Sequence, residues 1–181
     1  MKNTISAACL SIFLLVLPVL ITNAQDKTPS PVHPRVSLGA EFAVPVGKQY
    51  SDSFTIGFGG SGKLDVPITS ALYATASAGF VSFYSKDKNA GVALDLNNKS
   101  YIPLKAGAKY YMSPIFYAQG EVGASVGIQK NSGTSLIWAP GLGASFPITK
   151  RGFFNSDIRF EGWMREGGNL NHLALRVGYQ F

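Results

Sequence analysis

Few side chains in these 181 residues could carry out chemistry. There are two histidines and one cysteine. His33 stands among prolines and reads as solvated, and His172 reads as a rim histidine. Glu41, Glu121 and Glu161 could supply acid–base pairs. A nucleophile would need a base and an orienting group within reach, and no such trio is evident. Metal sites need clustered His, Cys or carboxylate ligands, and none is visible. Asp87 and Asp95 are too far apart for a calcium loop of known type. The run Gly59-Gly60-Ser61-Gly62-Lys63 is rich in glycine, but no helix follows and its first-glycine spacing is wrong for a phosphate loop. It reads as a sharply bent strand. No dinucleotide fingerprint is present. The expectation is a protein that is not an enzyme and holds no cofactor.

Composition narrows the class. Charged residues make up 14% of the chain, against about 25% in an ordinary soluble domain. The 16 Lys and Arg outnumber 10 Asp and Glu, for a net charge of +6. An acidic disordered tail, a collagen-like repeat and a disulfide scaffold are excluded. Length sets one domain as the default. A helical membrane bundle would need apolar runs of about 18 residues. The one long run, Ala7 to Ile21, follows Lys2 and precedes Thr22-Asn23-Ala24, the pattern of a cleaved export signal over residues 1–24. Cys9 lies inside it, without the Leu three residues earlier that a lipoprotein signal would show, so the exported chain has no cysteine. Residues 25–35, with Pro29, Pro31 and Pro34, read as a periplasmic linker. An exported chain without a basic patch excludes nucleic acid as a partner.

From residue 36 to 181 the hydrophobic period is two. It defines eight strands, over 36–46, 54–66, 71–84, 101–112, 115–128, 135–146, 153–165 and 171–181. The last shows it best: Leu173, Leu175, Val177, Tyr179 and Phe181 face one way, and Ala174, Arg176, Gly178 and Gln180 the other. The register of 71–84 is open, because it is apolar on both sides. Eleven strand charges fall opposite the apolar set: Glu41, Lys63, Asp65, Lys105, Lys109, Glu121, Asp157, Arg159, Glu161, Arg165 and Arg176. Six basic groups against five acidic ones predict a network of internal ion pairs, because unpaired buried charge is costly.

Alternation does not say which face is inside. A soluble, lipocalin-like barrel carrying an apolar ligand is one solution, and an outer-membrane barrel is its inverse. The polar face is about half glycine and serine, which suits a narrow lumen better than a solubilising surface. The strands are long enough to cross a bilayer. Aromatics gather near strand ends: Phe181, Tyr179, Tyr110, Phe116, Phe146 and Phe154 at one, Phe54, Tyr84, Tyr101 and Trp138 at the other, as in interfacial girdles. Connections after odd strands are the longer set, so an even strand number puts both termini on the periplasmic side. The reading is therefore an all-β, eight-stranded antiparallel up-and-down transmembrane β-barrel. Three prolines fit it badly: Pro45, Pro103 and above all Pro140 lie in strands that have no free edge.

The hairpin Tyr101-Ile102-Pro103-Leu104-Lys105-Ala106-Gly107-Ala108-Lys109-Tyr110-Tyr111, turning into Phe116-Tyr117-Ala118-Gln119-Gly120-Glu121-Val122-Gly123, resembles the centre of the outer membrane protein beta-barrel domain family. The ending Val177-Gly178-Tyr179-Gln180-Phe181 resembles the signal read by the barrel assembly machinery, with Tyr179 and Phe181 as its aromatics. The resemblance implies an eight-stranded barrel in a Gram-negative outer membrane, with lipid around it, and the basic balance of the chain favours contact with anionic lipopolysaccharide. The resemblance names no extracellular partner. Lipid A deacylases of this architecture carry a His followed two residues later by a Ser; here His172 is followed by Ala174, and the match fails. An eight-stranded lumen is just wide enough to be filled by side chains, so a structural or surface-interaction role is expected over a narrow pore for small solutes.

Overall fold

Alternating runs of this length cannot bury one face as isolated hairpins; they need a continuous sheet, and closure removes its edges. The computed structural model describes residues 33–46, 54–85, 99–129, 133–149, 152–165 and 168–181. The export signal expected over 1–24, most of the 25–35 linker, and Asp87 and Asp95 lie outside the described residues. Eight strands follow in order: β1 (Arg35–Val46), β2 (Phe54–Pro67), β3 (Leu72–Ser85), β4 (Lys99–Tyr111), β5 (Phe116–Gly127), β6 (Thr134–Pro147), β7 (Phe153–Met164) and β8 (Leu170–Gln180). Every neighbour is antiparallel, and β8 pairs back onto β1 to close the barrel. Each strand lies within two residues of its predicted span. Arg35, placed in the linker by sequence, opens β1.

The outside is apolar. Leu38, Val44, Phe58, Leu104, Val122, Leu136, Leu142, Ile158 and Leu175 all point outward and are exposed. The inside holds the charges. This is the inverse of a lipocalin-type arrangement. It also settles β3, whose Tyr73, Thr75, Val81 and Phe83 are buried inward while Ala76, Ala78 and Phe80 face out.

The prolines have a common explanation. In an antiparallel ladder the N–H and C=O of one residue address the same neighbouring strand. A proline therefore interrupts one ladder and leaves the other intact. The β3–β4 register skips from Ala78↔Leu104 to Val81↔Tyr101, passing over Pro103, which still pairs with Ser125 of β5. The β6–β7 register skips from Trp138↔Gly162 to Gly141↔Arg159, passing over Pro140, which still pairs with Gly120. The β1–β2 ladder ends at Ala43↔Gly57, two residues short of Pro45, which pairs with His172. Closure does not forbid proline where one ladder opens locally.

The end of the barrel that carries both chain termini also carries three short turns of one design. In Ile68-Thr69, Met112-Ser113 and Ile148-Thr149, both backbone amides donate to the carbonyl of the residue that restarts the chain (Leu72, Phe116 and Gly152), at 2.8–3.2 Å. The hydroxyls of Thr69, Ser113 and Thr149 then accept from the amides of Leu72, Phe116 and Gly152 at 3.0, 2.9 and 2.8 Å. Short hydroxyl side chains favour such turns because they satisfy backbone donors locally. The repeated Pro-Ile-Thr at 67–69 and 147–149 is their sequence trace.

Candidate functional site: the filled lumen

Of the eleven charges expected inside, ten sit on strands and point into the lumen, five acidic and five basic. The eleventh, Arg165, lies one residue past the end of β7 and is only half-buried. The ten charges on strands are in balance. Strand parity alone aligned Arg165 with Glu161, but β7 stops first.

Eight of these groups connect in one network inside the barrel. Lys63 meets Glu121 at 2.9 Å, Lys105 lies 4.0 Å from Glu121 and 2.6 Å from Glu161, and Arg159 lies 3.2 Å from Glu161. Arg159 also reaches Glu41 at 2.7 Å and Asp157 at 3.3 Å, and Arg176 lies 3.9 Å from Glu41. The remaining pair, Lys109 with Asp65, stands nearer the terminal end and is extended by Gln180, which donates to Asp65 at 2.8 Å. Neutral groups complete the shell. Lys63 donates to Gln119 at 2.6 Å, and Arg176 donates to Ser61 at 2.9 Å and Ser37 at 3.0 Å. Burying ions costs several kcal/mol each and is tolerated only with partners and hydrogen bonds of this kind.

Two lumenal glycines make room for the arginines. A Cβ on Gly39 would stand 3.0 Å from the Arg176 guanidinium carbon, and one on Gly141 would stand 2.6 Å from Arg159 Cγ. At these two positions glycine is what lets an arginine lie across the wall.

Beyond the ion pairs, at the end away from the termini, the lumen becomes apolar. Val81, Phe83, Tyr101, Ile137, Trp163 and Leu170 form a buried cluster. Trp163 packs edge-to-face on Tyr101 at 5.3 Å and on Phe83 at 5.9 Å between ring centres. Such contacts add stability beyond the area they bury. Two expectations are corrected here. Tyr101, assigned to the outer aromatic girdle, is 3% exposed and faces inward. Its parity with Lys105 in β4 carried that signal. His172, read as a rim residue, is buried between Phe83 and Trp163, with Nε2 3.4 Å from Glu161. Trp163 donates its indole N–H to the same carboxylate at 3.0 Å, so the aromatic layer is tied to the ionic one. The sequence reading did not single out Trp163, although it stands two residues from Glu161 and must share its face.

The outer girdle is otherwise as expected where side chains are described. Phe116, Phe146, Phe154 and Trp138 are exposed, Tyr84 and Tyr110 are half-buried, and the Phe54 side chain lies outside the described residues. Tyr179 and Phe181 are on the outer surface, edge-to-face at 5.0 Å. The Phe181 amide donates to Val36 at 2.8 Å.

The two tryptophans stand on opposite sides of the wall. In vesicles of lipids with brominated acyl chains, a Trp163→Phe variant, keeping Trp138, is expected to be strongly quenched. A Trp138→Phe variant, keeping Trp163, is expected to retain its emission. Equal quenching of both would contradict the assignment of faces.

A closed eight-stranded barrel with an apolar exterior and an ion-paired interior is a transmembrane β-barrel of the outer-membrane class. The chain belongs to the outer membrane protein beta-barrel domain family, whose model matches residues 12–181. Among curated proteins nothing matches. Solved structures share the fold. The outer membrane protein Ail of Yersinia pestis, in a phospholipid bilayer nanodisc, is 18% identical, covering 82% of this chain and 100% of that chain, with a TM-score of 0.53. Crystalline Ail with the heparin analogue sucrose octasulfate is 16% identical, with 82% and 97% coverage and a TM-score of 0.54. Neisserial surface protein A is 13% identical, with 81% and 94% coverage and a TM-score of 0.51. The protein is a β-barrel of the bacterial outer membrane.

Proposed function

We propose that this barrel is a structural or surface-interaction protein of a Gram-negative outer membrane, with no catalytic role, and that it does not conduct. Both termini are taken to face the periplasm, with the longer connections outside as the contact surface for lipopolysaccharide and extracellular partners. The outward position of Tyr179 and Phe181 supports their reading as the signal for the assembly machinery. The observation that carries the proposal is the filling of the lumen by two successive layers. The ion pairs join strands across the barrel, and the Phe83–Tyr101–Trp163 layer lies beyond them. An ion entering from either end would have to displace paired charges or part packed rings.

Planar-bilayer recordings of the refolded full chain test this. The expected result is no stable conductance step. A reproducible open level in the unmodified protein would overturn the closed-lumen reading in favour of a narrow pore.

A further inference from the structure

We propose that the lumen mouth at the end carrying the chain termini is a binding site for a small phosphate-type oxyanion. That end holds a cavity of about 300 Å³ lined by Arg35, Tyr73, Tyr111, Ser113, Ser145 and Phe153, among others. The volume lies at the small end for ligand sites and suits a phosphate with a few attached atoms.

Its charge is uncompensated. The ten charges deeper in the lumen balance, but Arg35 has no carboxylate partner among the described residues. Its guanidinium carbon lies 4.6 Å from the Phe153 ring centre and 5.8 Å from that of Tyr73. Contact with ring faces positions a guanidinium without using its N–H groups. The planar fork approaches the Tyr111 hydroxyl and has further N–H donors for an oxyanion, which it fits better than a point charge does.

A second observation points to the same place. Ser145 lines the cavity, is 2% exposed, and its Oγ has no hydrogen-bond partner. It lies beside the Tyr111 hydroxyl, which Arg35 also approaches. Buried hydroxyls are rarely left unpaired, and an anion held by Arg35 would take this donor. Asp65, a lumenal carboxylate of this half, engages Lys109 and Gln180 through Oδ2 and does not line the cavity. The donors present and the lack of a lining carboxylate select an anion over a cation. The chemistry fits free phosphate and a phospholipid head group equally.

The test titrates the full chain in non-ionic detergent micelles with inorganic phosphate and, separately, with short-chain phosphatidylglycerol, followed by amide and arginine side-chain NMR. The expected result is a saturable shift at Arg35, Tyr111 and Ser145. Arg35→Gln should weaken it at least about tenfold, as loss of a charge-assisted pair implies. Response to phosphate identifies a soluble source, and response to the lipid alone identifies a head group; either supports the site. No saturable shift with either probe, or shifts that persist in Arg35→Gln, would overturn it. Ser145→Ala, which keeps the charge, gives a second reading: its affinity should fall less than that of Arg35→Gln. Retention of native amide shifts outside the mouth shows that each variant is folded.

Discussion

Arg159→Met is expected to be the most damaging single change in the lumen, lowering stability by about 3–5 kcal/mol, the cost of breaking a buried ion pair. Arg159 is 1% exposed and faces three carboxylates, Glu41 at 2.7 Å, Glu161 at 3.2 Å and Asp157 at 3.3 Å. Glu161 keeps Lys105, His172 and Trp163 when the guanidinium is gone. Glu41 keeps Arg176 at 3.9 Å and the Ser61 hydroxyl, and Asp157 keeps a 3.4 Å hydrogen bond from Tyr117. Methionine fills much of the volume, so the loss is chiefly electrostatic. Urea unfolding of protein refolded into lipid vesicles measures it. A triple variant, Arg159→Met with Glu41→Gln and Asp157→Asn, should recover part of the loss, because the orphaned charges leave with their partner. A cost below about 1 kcal/mol for the single variant, the range of solvent-exposed pairs, would show that the lumen is wet enough to screen these groups.

The second large effect falls on two glycines that touch no charge. Gly107 of β4 stands opposite Glu121, and Gly123 of β5 stands opposite Lys105. A Cβ on Gly107 would collide with the Gly120 carbonyl and lie 2.7 Å from the Glu121 Cα. One on Gly123 would collide with the Leu104 carbonyl and lie 2.7 Å from the Lys105 Cα. The obstruction is backbone in both cases, so no rotamer relieves it. Gly107→Ala and Gly123→Ala should each cost at least the ~1–3 kcal/mol typical of overpacking and lower the refolded yield. Gly120→Ala is the control, because its Cβ would meet nothing within 4 Å on the outer surface. If Gly107→Ala and Gly120→Ala unfold at the same urea concentration, β4 and β5 are not held as closely as described.

Much of this architecture was legible in the chain because period-two patterning converts directly into faces. Leu173, Leu175 and Val177 fixed the outer face of β8, and Lys105 with Lys109 fixed the inner face of β4. What misled was residue type. An aromatic suits both a lipid girdle and a packed lumen, and Tyr101 was placed by type when its four-residue spacing from Lys105 put it inside. Trp163 and His172 follow the same logic. Which acid meets which base was beyond the pattern. The short pairs Lys63–Glu121, Lys105–Glu161, Lys109–Asp65 and Arg159–Glu41 join strands that are not neighbours, and the stagger that brings Arg159 to Glu41 is a property of the closed sheet. The proline positions became intelligible only once each ladder could be followed on both sides.

The placement of Arg176 has a consequence for how the barrel comes apart. Its strand, β8, is the last of the chain and meets the first along the β1–β8 line, where a linear sheet becomes a closed one. From β8 its guanidinium reaches past that line to Ser37 on β1 and on to Ser61 on β2. From the other flank, Arg159 on β7 reaches Glu41 on β1. Peeling β8 away therefore means more than unzipping backbone hydrogen bonds. It draws an arginine from a buried polar pocket and carries it toward hydrocarbon, where charge is expensive. The seam is clasped from within, and the barrier to opening it is a matter of rate as well as of equilibrium.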